Sequence, residues 1–288
     1  SRPNPFQRFK HQTGTLLHPT DGSFAFAFTD WNGDGSQDLI AIKKRGTGTG
    51  SIEVHIFSGA TNFQNLLLTT GTPLPETADD DTYAFALVDW NRDGRPDLFA
   101  VQKKKTDSGT TEINIFSGAS NFQEGLLRKV ATRLPETDEN TDFVVADWSG
   151  DGKPDLVAIH KRFTDTRLTE VQILAGKSNF EDEILRVGTR LRETDANWAF
   201  AATKWQGGSS LDLVCINRAG QSSTEVGILS GKSLFQEFLV SGSTALQRTD
   251  ATFDFVVADW DGKGRPELVA VKKSGTGTRS TEVHVLGE

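Results

Sequence analysis

The sequence predicts an all-β protein: one five-bladed β-propeller of four-stranded blades, spanning residues 1–288 as a single domain. Three observations predict it. First, a tryptophan followed seven residues later by an acid and a leucine recurs at Trp31, Trp90, Trp148, Trp205 and Trp260, at intervals of 59, 58, 57 and 55 residues. Repeats of this length, built from short strands, signal a circular or stacked array. Second, each repeat holds four strand-like runs separated by turn chemistry, and no segment carries a helical stripe. Third, the chain stops after the third strand of repeat five, while residues 6–20 align without a gap on residues 63–77. The N-terminal segment is therefore expected to complete the last blade and close the ring, hiding a sheet edge.

Repeat one shows how each element is read. Residues 24–30 put Phe24, Phe26 and Phe28 on one face and Ala25, Ala27 and Thr29 on the other, a period of two. Residues 38–44 form a short apolar run ending in lysines. In residues 52–57, Ile52, Val54 and Ile56 alternate with Glu53 and His55. The fourth strand is expected over residues 63–69. Asn-Gly-Asp-Gly, Gly-Thr-Gly-Thr-Gly, Ser58-Gly59 and Pro73-Leu74-Pro75 supply the turns between them. Lys44, Lys103, Lys161, Arg218 and Lys273 recur with Glu53, Glu112, Glu170, Glu225 and Glu282, and read as one cross-strand ion pair per blade.

Composition bounds the function. Charged residues are 24% and hydrophobic ones 36%, as in an ordered globular chain. The net charge of −8 comes without a basic stripe, which argues against a nucleic-acid partner. No apolar run reaches membrane length, so no membrane insertion is expected. The lone Cys215 sits in an apolar strand and reads as a small buried hydrophobe.

The loop after each first strand carries candidate metal ligands. In repeat one, Asp30, Asn32, Asp34 and Asp38 place oxygens at near-alternate positions, with Ser36 offering its carbonyl. Such a loop can wrap a hard cation such as calcium. Asp89, Asn91, Asp93, Arg95 (by its carbonyl) and Asp97 repeat the set, and Asp147, Ser149, Asp151, Lys153 and Asp155 nearly do. Repeat four, with Lys204, Gln206 and Gly208 before Asp212, has lost it. In repeat five Lys263 replaces the middle ligand between Asp261 and Glu267, where its ammonium could stand in for an ion. Up to three Ca²⁺ are expected; the competing reading is a hairpin held by Asx turns alone.

The Asp-Trp-Asn-Gly-Asp-Gly-x-x-Asp-Leu repeat resembles the FG-GAP/VCBS-type repeat. That family builds the integrin alpha-chain propeller and several fungal and bacterial propeller lectins. The resemblance covers essentially the whole chain. It implies a propeller with cation loops, glycans or glycoproteins as partners, and a secreted or extracellular setting, with a cytoplasmic one left open. It leaves the oligomeric state unread.

A second repeated signal precedes each first strand, on the rim expected to lie opposite the cation loops. Glu76-Thr77 with Tyr83, Glu193-Thr194-Asp195 with Trp198, and Thr249-Asp250 with Phe253 set carboxylates and hydroxyls beside an aromatic edge. That combination suits sugar hydroxyls and the apolar face of a pyranose. It also suits plain turn capping and blade core. Repeat three has Thr141 where the aromatic should be, so its site is expected to be the weakest; Trp198 marks the strongest.

The expected function is a non-catalytic, multivalent carbohydrate-binding lectin with calcium-stabilised loops, because repeated shallow sites multiply affinity on a glycan-rich surface. An adhesion or protein-interaction propeller, or an accessory module of a secreted enzyme, is the alternative. An enzyme ranks last. Asp142 and Asp254 are the only acids among the small residues read as facing inward, and no nucleophile elbow, zinc motif or phosphate loop is present.

Overall fold

The computed structural model describes residues 4–205, 207 and 210–288; Gln206 and Gly208 of the repeat-four loop lie outside the described residues. The fold is a five-bladed β-propeller of four-stranded antiparallel sheets. Blade 5 is completed from the N-terminus by β1 (Arg8–Gly14). Blade 1 comprises β2 (Phe24–Thr29), β3 (Asp38–Lys43), β4 (Ser51–Phe57) and β5 (Leu66–Pro75). Blade 2 comprises β6 (Tyr83–Val88), β7 (Asp97–Gln102), β8 (Thr110–Phe116) and β9 (Gly125–Pro135). Blade 3 comprises β10 (Thr141–Ala146), β11 (Asp155–His160), β12 (Leu168–Leu174) and β13 (Glu183–Arg192). Blade 4 comprises β14 (Trp198–Thr203), β15 (Asp212–Asn217), β16 (Ser223–Leu229) and β17 (Phe238–Gln247). Blade 5 adds β18 (Phe253–Ala258), β19 (Glu267–Lys272) and β20 (Glu282–Gly287), in the order β1-β20-β19-β18. By contact density the chain divides into residues 1–8, 101–113 and 129–250, and residues 9–100, 114–128 and 251–288; the division cuts β1, β7, β8 and β9.

The fourth strand starts later than the sequence suggests. A short 3₁₀ turn, Gly59–Thr61, follows β4 and ends with Asn62 and Phe63 in the left-handed region, at φ 53° and 62°. Two left-handed residues in succession interrupt the extended run here, so β5 begins only at Leu66 and runs on to Pro75. The same turn recurs at Gly176–Ser178 and Gly231–Ser233. Its purpose is to bury a phenylalanine. Phe63, Phe122 and Phe235 are buried and lie 6.0, 5.1 and 5.2 Å from Trp260, Trp31 and Trp148 of the preceding blade. Phe6 stands likewise 5.7 Å from Trp205. The repeated tryptophan is thus a blade-to-blade joint.

The small residues of the first strands do not line an open channel. Ala25 and Ala27 pack with Tyr83, Phe85 and Leu87 of blade 2 in one cluster, and Val144 and Ala146 pack with Trp198 and Phe200 of blade 4 in another. Within these clusters a small face meets the large face of the following blade, which lets the layers interdigitate.

The lysine–glutamate pairs are also corrected by register. Lys43, not Lys44, stands opposite Glu53, and His160, not Lys161, stands opposite Glu170. The glutamates instead cap the loop after the second strand: Glu53 Oε1 accepts the Gly48 and Thr49 N–H at 2.9 Å. The buried lysines turn toward the first strands. Lys161 pairs with Asp142 at 3.0 Å and Lys273 with Asp254 at 3.1 Å, while Lys44 donates to the Asp80 carbonyl at 2.6 Å. Both first-strand acids are therefore already neutralised. No described helix is long and apolar enough to cross a membrane.

Candidate functional site

The cation loops are held by their own acids. Asp30 accepts the Gly33, Asp34 and Gly35 N–H groups at 2.8–3.0 Å, and Asp34 accepts that of Ser36 at 2.8 Å. Asn32 accepts the Asp34 N–H and donates to the Asp34 carboxylate. Asp89, Asn91, Asp93 and the Arg95 N–H repeat the pattern in blade 2. In blade 3, Asp147 accepts from Gly150 and Gly152, and Asp151 from Lys153.

The last acid of each motif does something different. Asp38, fully buried, takes the Trp31 N–H at 3.0 Å on one oxygen and the Gly59 N–H at 2.8 Å on the other. Asp97 and Asp155 do the same with Trp90 and Gly118, and with Trp148 and Gly176; Asp155 also accepts from Ser149. Burial pushes these three carboxyls up from the ordinary range against the pull of their N–H donors, and the charges of Asp34 and Asp30 add to the effect on Asp38. This tie explains why Asp212 persists in repeat four after the other loop acids are lost: it still holds the Gly231 N–H at 2.9 Å.

One acidic cluster among the described residues brings three carboxylates together. Asp259, Asp261 and Glu267 each offer an oxygen within 4.8 Å of the others and could hold a metal ion. Two lysines already sit on it. Lys10 reaches Asp261 at 2.8 Å and Glu267 at 2.6 Å, and Lys263 reaches Asp261 at 2.7 Å. These contacts hold the Asp261 carboxyl far below the usual carboxylate range.

The lead-in residues are mostly spent on structure. Glu76 accepts both the N–H and the hydroxyl of Thr47, and Glu193 those of Thr164. Thr77 and Thr194 are buried; Thr77 donates to the Asp79 carbonyl, and Thr194 lies 3.2 Å from the Thr169 hydroxyl. Thr249 meets Thr224 in the same way, at 3.1 Å. Asp195 closes an Asx turn onto Asn197, and Asp250 is exposed. Tyr83, Trp198 and Phe253 stack along their own strands on Phe85, Phe200 and Phe255.

An open groove of about 830 Å³ lies where blade 3 begins. It exists because Thr141 is small: where other blades carry Phe24, Tyr83, Trp198 or Phe253, blade 3 leaves the face of its sheet uncovered. Residues 134–138 form one wall and the loop at Arg162 and Phe163 another. Phe163 is 80% exposed, with the Arg162 guanidinium 4.9 Å from its ring centre. No period announces Phe163 in the sequence, because it belongs to a loop. The floor carries a directed chain of polar groups. Gln172 donates to Glu183 at 2.5 Å, so its carbonyl oxygen must accept from His160 Nε2, at 3.0 Å. His160 Nδ1 is then free of its proton and accepts from the Thr141 hydroxyl at 3.2 Å. Burial holds the His160 imidazole below its ordinary value, in keeping with this neutral form.

This fixes a pH dependence. A histidine whose folded pKa is depressed contributes stability that is complete above its unfolded value, about 6.5, and is lost as pH falls through the folded value. The melting temperature is expected to fall between pH 7 and pH 5 more steeply in the parent protein than in His160→Gln. Parallel profiles measured by thermal denaturation would contradict the neutral-histidine assignment.

A second, smaller groove of about 400 Å³ occupies the corresponding place on blade 1, lined by His18, Asp21, Phe24, Lys43 and Arg45. There Phe24 fills the space that Thr141 leaves open.

Comparison with known proteins gives a repeat family and a fold. The profile of the FG-GAP-like repeat matches residues 30–100 and 89–158. No curated protein matches the sequence. Among solved structures, the chain is similar to the catalytic domain of a Coprinopsis cinerea GH62 α-L-arabinofuranosidase, at 9% identity and TM-score 0.58, covering 99% of this chain and 98% of that one. It is equally similar to a Podospora anserina α-L-arabinofuranosidase solved with cellotriose, at 10% identity, TM-score 0.58 and the same coverage. A GH43 β-xylosidase/α-arabinofuranosidase from a compost metagenome, solved with xylotriose in a calcium-free form, matches at 12% identity and TM-score 0.53, covering 97% and 94%. At this identity the likeness is one of fold.

It nevertheless overturns the expectation of a non-catalytic lectin or adhesion propeller. The sequence reading ranks an enzyme last, yet in these proteins the same fold, matched nearly end to end, is a hydrolase. Repetition of the blade constrains the scaffold, whereas chemistry depends on residues that differ between blades. The chain is a five-bladed β-propeller that carries FG-GAP-like repeats.

Proposed function

We propose that this protein is a carbohydrate-active enzyme of the glycoside-hydrolase type, and that its glycan occupies the blade-3 groove. The observation that carries this reading is the groove's lining: two carboxylates from different elements, Asp138 and Glu183, beside the exposed ring of Phe163. Glycosidases work with two carboxyl groups flanking the scissile bond, one protonating the leaving oxygen and one acting on the other side of the ring. The Gln172–His160–Thr141 chain orients Glu183, which fits it as the acid. Asp138, held by the Asn140 N–H at 2.8 Å and its side-chain amide at 3.1 Å, is the base. The architecture shared with xylosidases and arabinofuranosidases supports the same class.

Release of reducing ends from a panel of neutral and acidic oligosaccharides tests it. Glu183→Gln should lower turnover by roughly 10²–10⁴-fold, the usual contribution of a general acid, while binding persists. A panel in which oligosaccharides bind but none is cleaved would overturn the hydrolase reading.

The loops of blades 1–3 are proposed to take calcium. Asp30, Asn32, Asp34 and the Ser36 carbonyl would hold it in blade 1, with their counterparts in blades 2 and 3. Hard oxygen donors suit the ion, and it would relieve the mutual repulsion of the loop acids. Asp38, Asp97 and Asp155 have both oxygens occupied by N–H donors and would support the loop from behind. An ion present at a hundred times its Kd stabilises by about 2.7 kcal/mol, so a chelator should lower the melting temperature and Asp34→Ala should remove one ion. Metal analysis that finds no calcium after equilibration at millimolar concentration would support Asx turns alone.

A further inference from the structure

We propose that the blade-3 groove selects a carboxylated saccharide, with Arg133 and Arg162 reading the sugar's carboxylate. This rests on the groove being the glycan site. The chain carries a net charge of −8, yet four cations line this groove: Lys104, Arg133, Arg162 and Arg186. All three acids that share the lining are engaged by the protein, Asp138 by the Asn140 N–H and side-chain amide. Glu136 takes the N–H and hydroxyl of Thr106 at 2.7 and 2.9 Å, bonds that hold its carboxyl below the usual range. Glu183 takes the Gln172 amide. Arg186, itself exposed, leans on Glu170 at 3.4 Å; Arg133 in β9 and Arg162 in the loop after β11 are the other exposed guanidinium groups of the lining. A guanidinium presents a planar fork that matches a carboxylate with two parallel hydrogen bonds.

The same chemistry recurs independently on blade 1. Its groove is lined by Lys43 and Arg45, with Arg45 at the chain position equivalent to Arg162, and Lys43 lies 6.0 Å from the Phe24 ring centre as Arg162 lies over Phe163. A cation beside an aromatic ring is what an acidic sugar needs: the ring takes the apolar face and the cation takes the carboxylate. On blade 1, Arg45 is tied to Asp80 and Phe24 fills the cleft, so blade 3 holds the stronger site.

Titration of the full chain with trigalacturonate and with its fully methyl-esterified form tests the inference. The acid should bind at least tenfold more tightly than the ester at low salt, and the advantage should shrink as salt rises. Arg162→Gln and Arg133→Gln, both at exposed positions, should each reduce that ratio by weakening the acid more than the ester. Equal affinity for acid and ester would overturn the carboxylate preference and leave the groove as a glycan site. Absence of binding by either form and by neutral oligosaccharides would overturn the glycan site itself.

Discussion

Replacing Asp38 with alanine is expected to lower the melting temperature by roughly 5–15 °C. The carboxylate is fully buried and accepts two backbone N–H groups, from Trp31 and Gly59. Alanine leaves both donors buried without partners, at about 1–3 kcal/mol each. Neighbouring groups cannot replace it, because this corner is tightly packed: a Cβ placed on Gly59 would lie 2.1 Å from the Gln37 carbonyl oxygen. Asp34→Ala makes the comparison. Asp34 is exposed, and without calcium its loss should leave the melting temperature nearly unchanged. Thermal denaturation in chelator separates the two. Equal effects would mean that the last acid of the motif is an ordinary loop residue.

Deleting residues 1–17 should be more severe still. Residues 4–7 dock on blade 4: Phe6, 1% exposed, lies against Trp205, its carbonyl accepts the Ala245 N–H at 2.9 Å, and Asn4 donates to Gly242 at 2.8 Å. Strand β1 then covers β20, with Gln12 meeting His284 at 2.9 Å and Thr15 bonding Thr281 at 3.0 Å. Loss of the Phe6 side chain alone costs about 3–5 kcal/mol. The deletion also leaves β20 as an open edge, a template for pairing with other chains. Aggregation or a broad, early melting transition is the expected result. A monomeric product with an unchanged melting temperature would contradict strand completion.

The blades were legible because strand periodicity is a local property. The alternation at residues 24–29, the tryptophan spacing and the alignment of residues 6–20 on 63–77 needed no tertiary knowledge. What each face meets is not local. Period two separates Ala25 and Ala27 from Phe24 and Phe26, yet it cannot say that the small face receives the next blade's aromatics. Lys44 and Lys161 lie one residue beyond the register position facing Glu53 and Glu170, and one residue turns a strand side chain to the other face. The 3₁₀ turns escaped notice because three residues carry no helical period.

The candidate site was harder to read for a related reason. Thr141 looked like a missing contact, and so like the weakest site; in three dimensions a missing ring is a groove. His160, Gln172 and Glu183 lie on three different strands of blade 3, so no local period joins them. Repetition directed attention to what the blades share.

The most direct test of that account is a crystal structure of Glu183→Gln with an oligosaccharide that the parent protein cleaves. The account predicts a sugar ring against Phe163, with a glycosidic oxygen between residue 183 and Asp138. A glycan bound elsewhere, with the blade-3 groove empty, would contradict it.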